Sequence, residues 1–212
     1  MVYASSSSVY GANQSVPFAE TDRVDMPMSL YAATKRADEL MSYSYGHLYG
    51  LKQTGLRFFT VYGPWGRPDM AYYSFADAIM QGRPIQLYDG GTPRRDFTYI
   101  DDIVAGVLGA LDHPPVTVLG QPPVRLLNIG NNRSEPVSLL VELLERGLGK
   151  TAIIEHTKRP SADVAETCAV IDDIATLAGF APTTTLGQGI PRFVEWFLAW
   201  RHDHRTPLAN AS

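Results

Sequence analysis

The chain of 212 residues is long enough for one domain, or one and a half, around a sizeable core, and its 45% hydrophobic and 19% charged residues are ordinary for a globular protein. A formal net charge of -4 speaks against a nucleic-acid partner, because phosphate binding favours a basic surface. No window approaches about 18 uninterrupted apolar residues, so no membrane-spanning segment is expected in this chain, and the first residues lack the form of a signal peptide. One cysteine, Cys168, excludes an internal disulfide and points to a reducing, cytoplasmic compartment. It is read as a small packed residue. The five histidines show no zinc-ligand spacing.

In chain order, VYASSSSVYG reads as the end of a buried strand running into a serine-rich loop, and residues 12–28 as a loop broken by Pro17 and Pro27. Ser29 is an N-cap for a helix from about Leu30 to Tyr49, closed by Gly50, with Leu30, Ala33, Ala37, Leu40, Met41 and Leu48 at helical spacing. An aromatic-rich strand, GLRFFTV, precedes the Gly/Pro-rich loop YGPWGRPDM. A short helix over 72–81 stops at Gly82, PIQLYDG is a strand, and GTPRRDFTY is a loop. A helix over about Ile100 to Leu111 follows, with Ile103, Val104, Val107, Leu108 and Leu111 on one side. VRLLNIG is a strand, Ser138 starts a helix ending near Gly147, and TAIIEHT is strand-like. Asp172 to Leu177 is a short helix stopped by Gly179, and a last helix begins after Thr185, its first turns weakened by Pro191. Alternating strands and helices make the class α/β.

Tyr31 and Lys35 carry the sharpest chemical signal. Residues four apart share a helix face, so a phenol and an ammonium can meet one substrate. Tyrosine is a poor base near neutrality, with an unperturbed pKa of about 10. A nearby lysine cation favours the phenolate, and a serine from Ser5–Ser8 can orient the proton of an alcohol. The group suits removal of a proton from a hydroxyl while hydride leaves its carbon. By itself the spacing is common, and a surface helix with a snorkelling lysine gives it equally.

SSSSVYG, YAATK, RFFTVYGP and RRDFTYIDDIV, in this order, resemble the extended short-chain dehydrogenase/reductase family and specifically its nucleotide-sugar epimerases. The run GxxRPDM is similar to that of the UDP-glucuronate 4-epimerases. The motifs cover residues 2–112, with weaker similarity to about Trp200. The resemblance implies an incomplete Rossmann-like parallel sheet over 1–63, a smaller C-terminal α/β substrate region over 64–205 with some elements returning to the sheet, and a tail over 206–212. It implies NAD as cofactor, a UDP-sugar as substrate, and a homodimer through the helix bearing the tyrosine.

Residue by residue, Tyr31, Lys35 and Ser6 match the catalytic group, and Lys35 also touches the nicotinamide ribose in the family. Pro64 matches a proline lining the nicotinamide pocket. Ser7 and Ser8 match positions facing the sugar, Arg95 an arginine on the diphosphate, and Tyr88 an aromatic beside the uracil. Asp163 resembles an aspartate near the ribose, although Ala162 stands where the family usually has glycine. Arg67, with Ser7, Ser8 and Thr60, suits a bidentate grip on a hexuronate carboxylate. Arg94 is read as a surface charge, and Asp101 and Asp102 as complements of a helix dipole. The family's dehydratases carry Asp-Glu at Ser7 and Ser8 and its decarboxylating members a Glu, so epimerisation through a transient 4-keto sugar is the reaction implied. No glycine-rich dinucleotide fingerprint occurs in the sequence. The expectation is a fragment that binds NAD poorly and is inactive alone. A neutral-sugar 4-epimerase and a non-catalytic nucleotide-sugar-binding remnant are the other readings.

Overall fold

A computed structural model describes residues 1–160 and 164–204, without the side chain of His204. Asp163 and the tail over 206–212 lie outside the described residues. The strands are β1 (Val2–Ser6), β2 (Gln53–Phe58), β3 (Thr60–Tyr62), β4 (Pro84–Tyr88), β5 (Arg94–Tyr99), β6 (Val124–Ile129), β7 (Ser134–Pro136) and β8 (Ile153–Thr157). The helices are α1 (Leu30–Tyr49), α2 (Ala71–Gln81), α3 (Ile100–Asp112), α4 (Val137–Leu148), α5 (Asp172–Ala178) and α6 (Leu186–His204).

β1, β2 and β6 form a parallel sheet in that order, with Ser6 opposite Phe58 and Phe58 opposite Ile129. β3 pairs parallel with β5, which pairs antiparallel with β7, and β4 pairs parallel with β8. The class is α/β with parallel sheets, as expected. Two apolar cores result. One lies on the β1-β2-β6 sheet and gathers Val9, Phe18, Leu56, Ile129, Ile174 and Phe180; the other joins α2, α4 and α6 through Tyr72, Leu140, Leu144, Ile190, Phe193 and Phe197.

Ser29 caps α1 as read, its hydroxyl accepting from the Ala32 amide at 3.1 Å, and Gly50 ends it in the left-handed conformation that glycine adopts without a Cβ penalty. The periodic apolar residues of this helix face outward. Leu30, Leu40, Met41 and Leu48 are exposed, whereas the buried stripe is Ala32, Glu39, Ser42 and Gly46. On α3, likewise, Ile103 is buried and Val104, Leu108 and Leu111 are exposed.

The segment GTPRRDFTY is a strand from Arg94 onward, not a loop, and β3 and β7 add short pairings that periodicity does not reveal. β5 escapes a period-2 reading because polar residues fill its buried positions: Asp96 and Thr98 are fully enclosed. The Asp96 carboxylate accepts from the amides of Asn131, Asn132 and Ala169 and from the Thr98 hydroxyl, so all but one of its donors lie far along the chain. Pro191 removes one hydrogen bond without ending α6. Gly189 in that helix lets Tyr62 come close, since an added Cβ would sit 2.1 Å from the phenol oxygen, which donates to the Thr185 carbonyl.

Phe193 is fully buried, with its ring 4.9 Å from that of Tyr72 and 5.6 Å from that of Phe197. Phe193→Ala is expected to lower the unfolding free energy by about 3–5 kcal/mol. Urea unfolding followed by tryptophan fluorescence checks this, and a loss under about 1 kcal/mol contradicts the packing described.

Candidate functional site

Ser6 is the last residue of β1 and caps a 3₁₀ turn over Ser7–Tyr10, accepting from the Ser8 amide at 3.2 Å and the Ser8 hydroxyl at 2.9 Å. The turn reverses the chain, so Ser6 and Ser7 look onto the space at the carboxyl ends of β1 and β2. Tyr31, in the first turn of α1 and 55% exposed, borders the same space. Ser6, Ser7, Tyr31, Thr60 and Arg67 line one cavity of about 480 Å³, together with Phe58, Trp65, Met70 and Tyr72.

Two further cavities adjoin it. One of about 230 Å³ is bordered by Ser7, Ser8, Thr60, Arg95 and Thr167. The other, of about 560 Å³, is bordered by Thr60, Arg83, Gln86, Tyr88, Arg95 and Phe97. Thr60 borders all three, and Arg95 the last two. A cleft therefore runs from the hydroxyls of Ser6 and Tyr31 past Thr60 to Arg95 and Tyr88. Of the residues singled out in the sequence, Ser6, Ser7, Ser8, Tyr31, Thr60, Arg67, Tyr88 and Arg95 are brought together along it.

Lys35 is not on the cavity wall. Its ammonium donates to the Ala4 carbonyl at 3.0 Å and pairs with Asp38 at 3.2 Å, anchoring the first turns of α1 to β1. Pro64, between Gly63 and the cavity-lining Trp65, is not among the residues that line the cavity of Ser6 and Tyr31, and Asp163 falls outside the described residues. Arg67 is mostly exposed and pairs with Asp69 at 3.3 Å. Arg94, expected to be a surface charge, is half-buried: it donates to the Ser134 carbonyl and faces Glu166 at 3.6 Å, because β5 runs between β7 and the 164–167 segment. Asp102, at the start of α3, also accepts from the Thr184 amide at 3.0 Å. Sequence reasoning missed Trp65 and Tyr72. A signal existed for Trp65 in the Gly/Pro-rich loop, where it adopts φ 62°, a left-handed conformation costly for a bulky residue.

Beneath the cleft lies a buried ion pair that the sequence does not announce. Arg57, on β2 and 1% exposed, donates from Nε to Glu39 Oε1 at 2.8 Å and from Nη2 to Glu39 Oε2 at 3.0 Å. Ser5 Oγ donates to Glu39 Oε1 at 2.6 Å, and Arg36 donates to Oε2 at 2.9 Å. Arg57 Nη1 reaches the Tyr10 hydroxyl at 3.1 Å, which donates in turn to Asn128 on β6 at 2.6 Å.

Burial alone would raise the Glu39 carboxyl, but the hydrogen bonds and charge of Arg57, with Ser5 and Arg36, carry it below the ordinary glutamate value. Desolvation pushes the Tyr72 phenol up to about 12, so it is no base at neutral pH. It pushes the Cys168 thiol up to about 11 and leaves that residue a poor nucleophile. Among the described residues no group of His, Cys, Asp and Glu could hold a metal ion, and no helix is long and apolar enough to cross a membrane.

Comparison with known proteins agrees with the motif order. Residues 1–130 match the model of the NAD dependent epimerase/dehydratase family. UDP-glucuronate 4-epimerase 1 of Arabidopsis thaliana is 50% identical over 210 residues, covering 94% of this chain and 49% of its own length. A probable UDP-glucuronate 4-epimerase of Rhizobium meliloti is 44% identical, covering 97% and 64%. The chain thus spans about half to two-thirds of the length of these relatives. The crystal structure of UDP-glucuronic acid 4-epimerase from Bacillus cereus, in complex with UDP-glucuronic acid and NAD, superposes with a TM-score of 0.83 at 31% identity, over 94% of this chain and 61% of that one.

The depressed Glu39 value has a definite sign. A carboxyl whose folded-state pKa lies below its unfolded value contributes stability that is present above about 4.5 and lost as pH falls through the folded value. The stability advantage of the wild type over Glu39→Gln is therefore expected to narrow as pH is lowered from 6 to 3 in urea-unfolding experiments. A difference that stays constant, or widens, contradicts the assignment.

Proposed function

Since the chain belongs to the NAD dependent epimerase/dehydratase family, we propose that it supplies the catalytic hydroxyls and the substrate cleft of a UDP-glucuronate 4-epimerase. The observation that carries the proposal is the cleft: it joins a hydroxyl-rich end, with Ser6 and Tyr31, to a distal end with Arg95 and Tyr88, in the order a nucleotide sugar requires.

On this reading the base stacks near Tyr88, and Arg95 offers its fork to the diphosphate. Ser7, Ser8 and Thr60 surround the sugar. Arg67 turns from Asp69 to the hexuronate carboxylate, which is feasible because an exposed ion pair holds it by at most about 1 kcal/mol. Tyr31, as the phenolate, takes the proton of the sugar 4-hydroxyl and becomes the phenol, and Ser6, already a hydrogen-bonded hydroxyl, orients it. Lys35, tied to Ala4, holds the tyrosine's turn against the end of β1.

The residues present fit the nicotinamide end of NAD. The cavity beside Ser6 and Tyr31 opens at the carboxyl ends of parallel strands, the usual place for nucleotide ligands in α/β sheets. When bound, NAD would supply the acceptor and donor of hydride at C4. Division of the chain near residue 63, the homodimer and a cytoplasmic setting belong to the same proposal. The dimer is supported by the outward Leu40, Met41, Tyr45 and Tyr49 of α1.

The test joins the N-terminal segment of the Rhizobium meliloti relative to Met1, so that a dinucleotide-binding half is present. This fusion is expected to interconvert UDP-glucuronate and UDP-galacturonate with added NAD, and Tyr31→Phe to abolish turnover. Arg67→Met is expected to lower kcat/KM for UDP-glucuronate roughly 10–100-fold, the worth of a charged hydrogen bond, while sparing UDP-glucose. Normal turnover by Tyr31→Phe, or equal losses on both sugars in Arg67→Met, overturns the respective role.

A further inference from the structure

We infer that the buried Glu39–Arg57 pair is a positioning device, which sets the catalytic turn of α1 against the serine end of β1. The inference rests on the epimerase reading for the reaction it serves, and on geometry for the rest.

A helix normally docks on a sheet through an apolar stripe, which fixes its depth but tolerates small slides. The inward stripe of α1 has no large apolar residue. Ala32 and Gly46 let the helix lie close to the sheet: an added Cβ at Gly46 would stand 2.2 Å from the Val124 side chain. Glu39 is the one long side chain in the stripe, and its carboxylate is held by directional bonds from two different strands, Ser5 on β1 and Arg57 on β2. A bidentate fork is intolerant of translation and of rotation. Ser5 immediately precedes Ser6, and Glu39 is one helical turn beyond Lys35 and two beyond Tyr31. The clamp therefore refers both proposed proton-handling hydroxyls to one rigid point.

The energetics also favour this role. A buried ion pair pays heavy desolvation, and apolar replacements of similar volume are often neutral or stabilising, so stability alone is a weak reason for such a pair. Geometry is a better one, because a misplacement of about 1 Å at a reacting centre can cost about 10²-fold in rate.

The triple variant Ser5→Ala/Glu39→Leu/Arg57→Met removes the pair and the hydroxyl that would otherwise be left unpaired. In the fusion protein it is expected to fold with wild-type stability and bind UDP-glucuronate with unchanged KM, while kcat falls about 10²-fold. In the 212-residue chain, hydrogen exchange of the peptide over residues 30–38 is expected to accelerate at least tenfold relative to β2. Full kcat in a stable triple variant overturns the inference, as does unchanged exchange over 30–38. If the triple variant does not fold, Glu39→Asp, which retracts the carboxylate by one methylene, provides the same reading: a kcat loss at constant KM supports the role, and parallel loss of both refutes it. Should the wild-type fusion epimerise nothing, the functional reading fails by itself, and the exchange experiment still decides whether the pair sets the helix.

Discussion

Two buried charges, Glu39 and Arg57, tie α1 to the β1-β2-β6 sheet through polar bonds, where the buried stripe of the helix offers no large apolar residue. Through Ser5 they reach β1, through Tyr10 and Asn128 they reach β6, and through the backbone of Glu39 they reach the turn of α1 that carries Tyr31 and Lys35. The hydrogen bonds must all be present, since a buried charge stripped of its partner costs several kcal/mol. α1 accordingly presents small and polar residues inward and leaves its larger apolar side chains outside. That inversion of the usual helix pattern follows from what the helix has to do, which is to keep a fixed register at close range.

With the register set, the cleft follows from the parallel sheet. Strands β1 and β2 end side by side at Ser6 and Phe58; the chain leaves β1 by the 3₁₀ turn over Ser7–Tyr10 and passes from β2 through Phe59 into β3. The open end of the sheet is faced by the loop of Trp65 and Arg67 and by Tyr72 of α2, a helix that belongs to the second core. A reacting group at that junction meets hydroxyls from one side and a cation from the other. Beyond Thr60 the same space continues to Arg95, whose fork is kept in place by carbonyls of Arg94 and Ala165. On the proposed epimerase reading the arrangement separates tasks: proton handling near the rigid sheet, anionic anchoring along β5.

Local signals were legible where local physics decides. Ser29 and Gly50 delimit α1 to the residue because a cap and a left-handed glycine act within one turn. The Tyr31–Lys35 spacing and the serine run could be recognised because their chemistry is written in residue type. β5 could not be recognised, because Asp96 finds its donors at Asn131, Asn132 and Ala169, and no window around 96 contains them. The Glu39–Arg57 pair was hidden for the same reason: a glutamate and an arginine 18 residues apart look like two surface charges until the crossover from α1 to β2 brings them face to face. Arg94 was read as a surface charge and is partly exposed, but its partners, Ser134 and Glu166, could not be read because they come from segments that adjoin β5 only in the fold. The bond of the Lys35 ammonium to the Ala4 carbonyl could not be read from the sequence either, because it depends on α1 lying so close to β1.

The account as a whole depends on a nucleotide sugar lying along this cleft with its sugar toward Tyr31. A crystal structure of the chain soaked with UDP-glucuronate tests that placement most directly. The expected result has the diphosphate on Arg95, the base near Tyr88, the carboxylate on Arg67 in place of Asp69, and the 4-hydroxyl facing Tyr31 and Ser6. Density for the ligand elsewhere, or a sugar seated in reverse with its 4-hydroxyl pointing away from both hydroxyls, would contradict it.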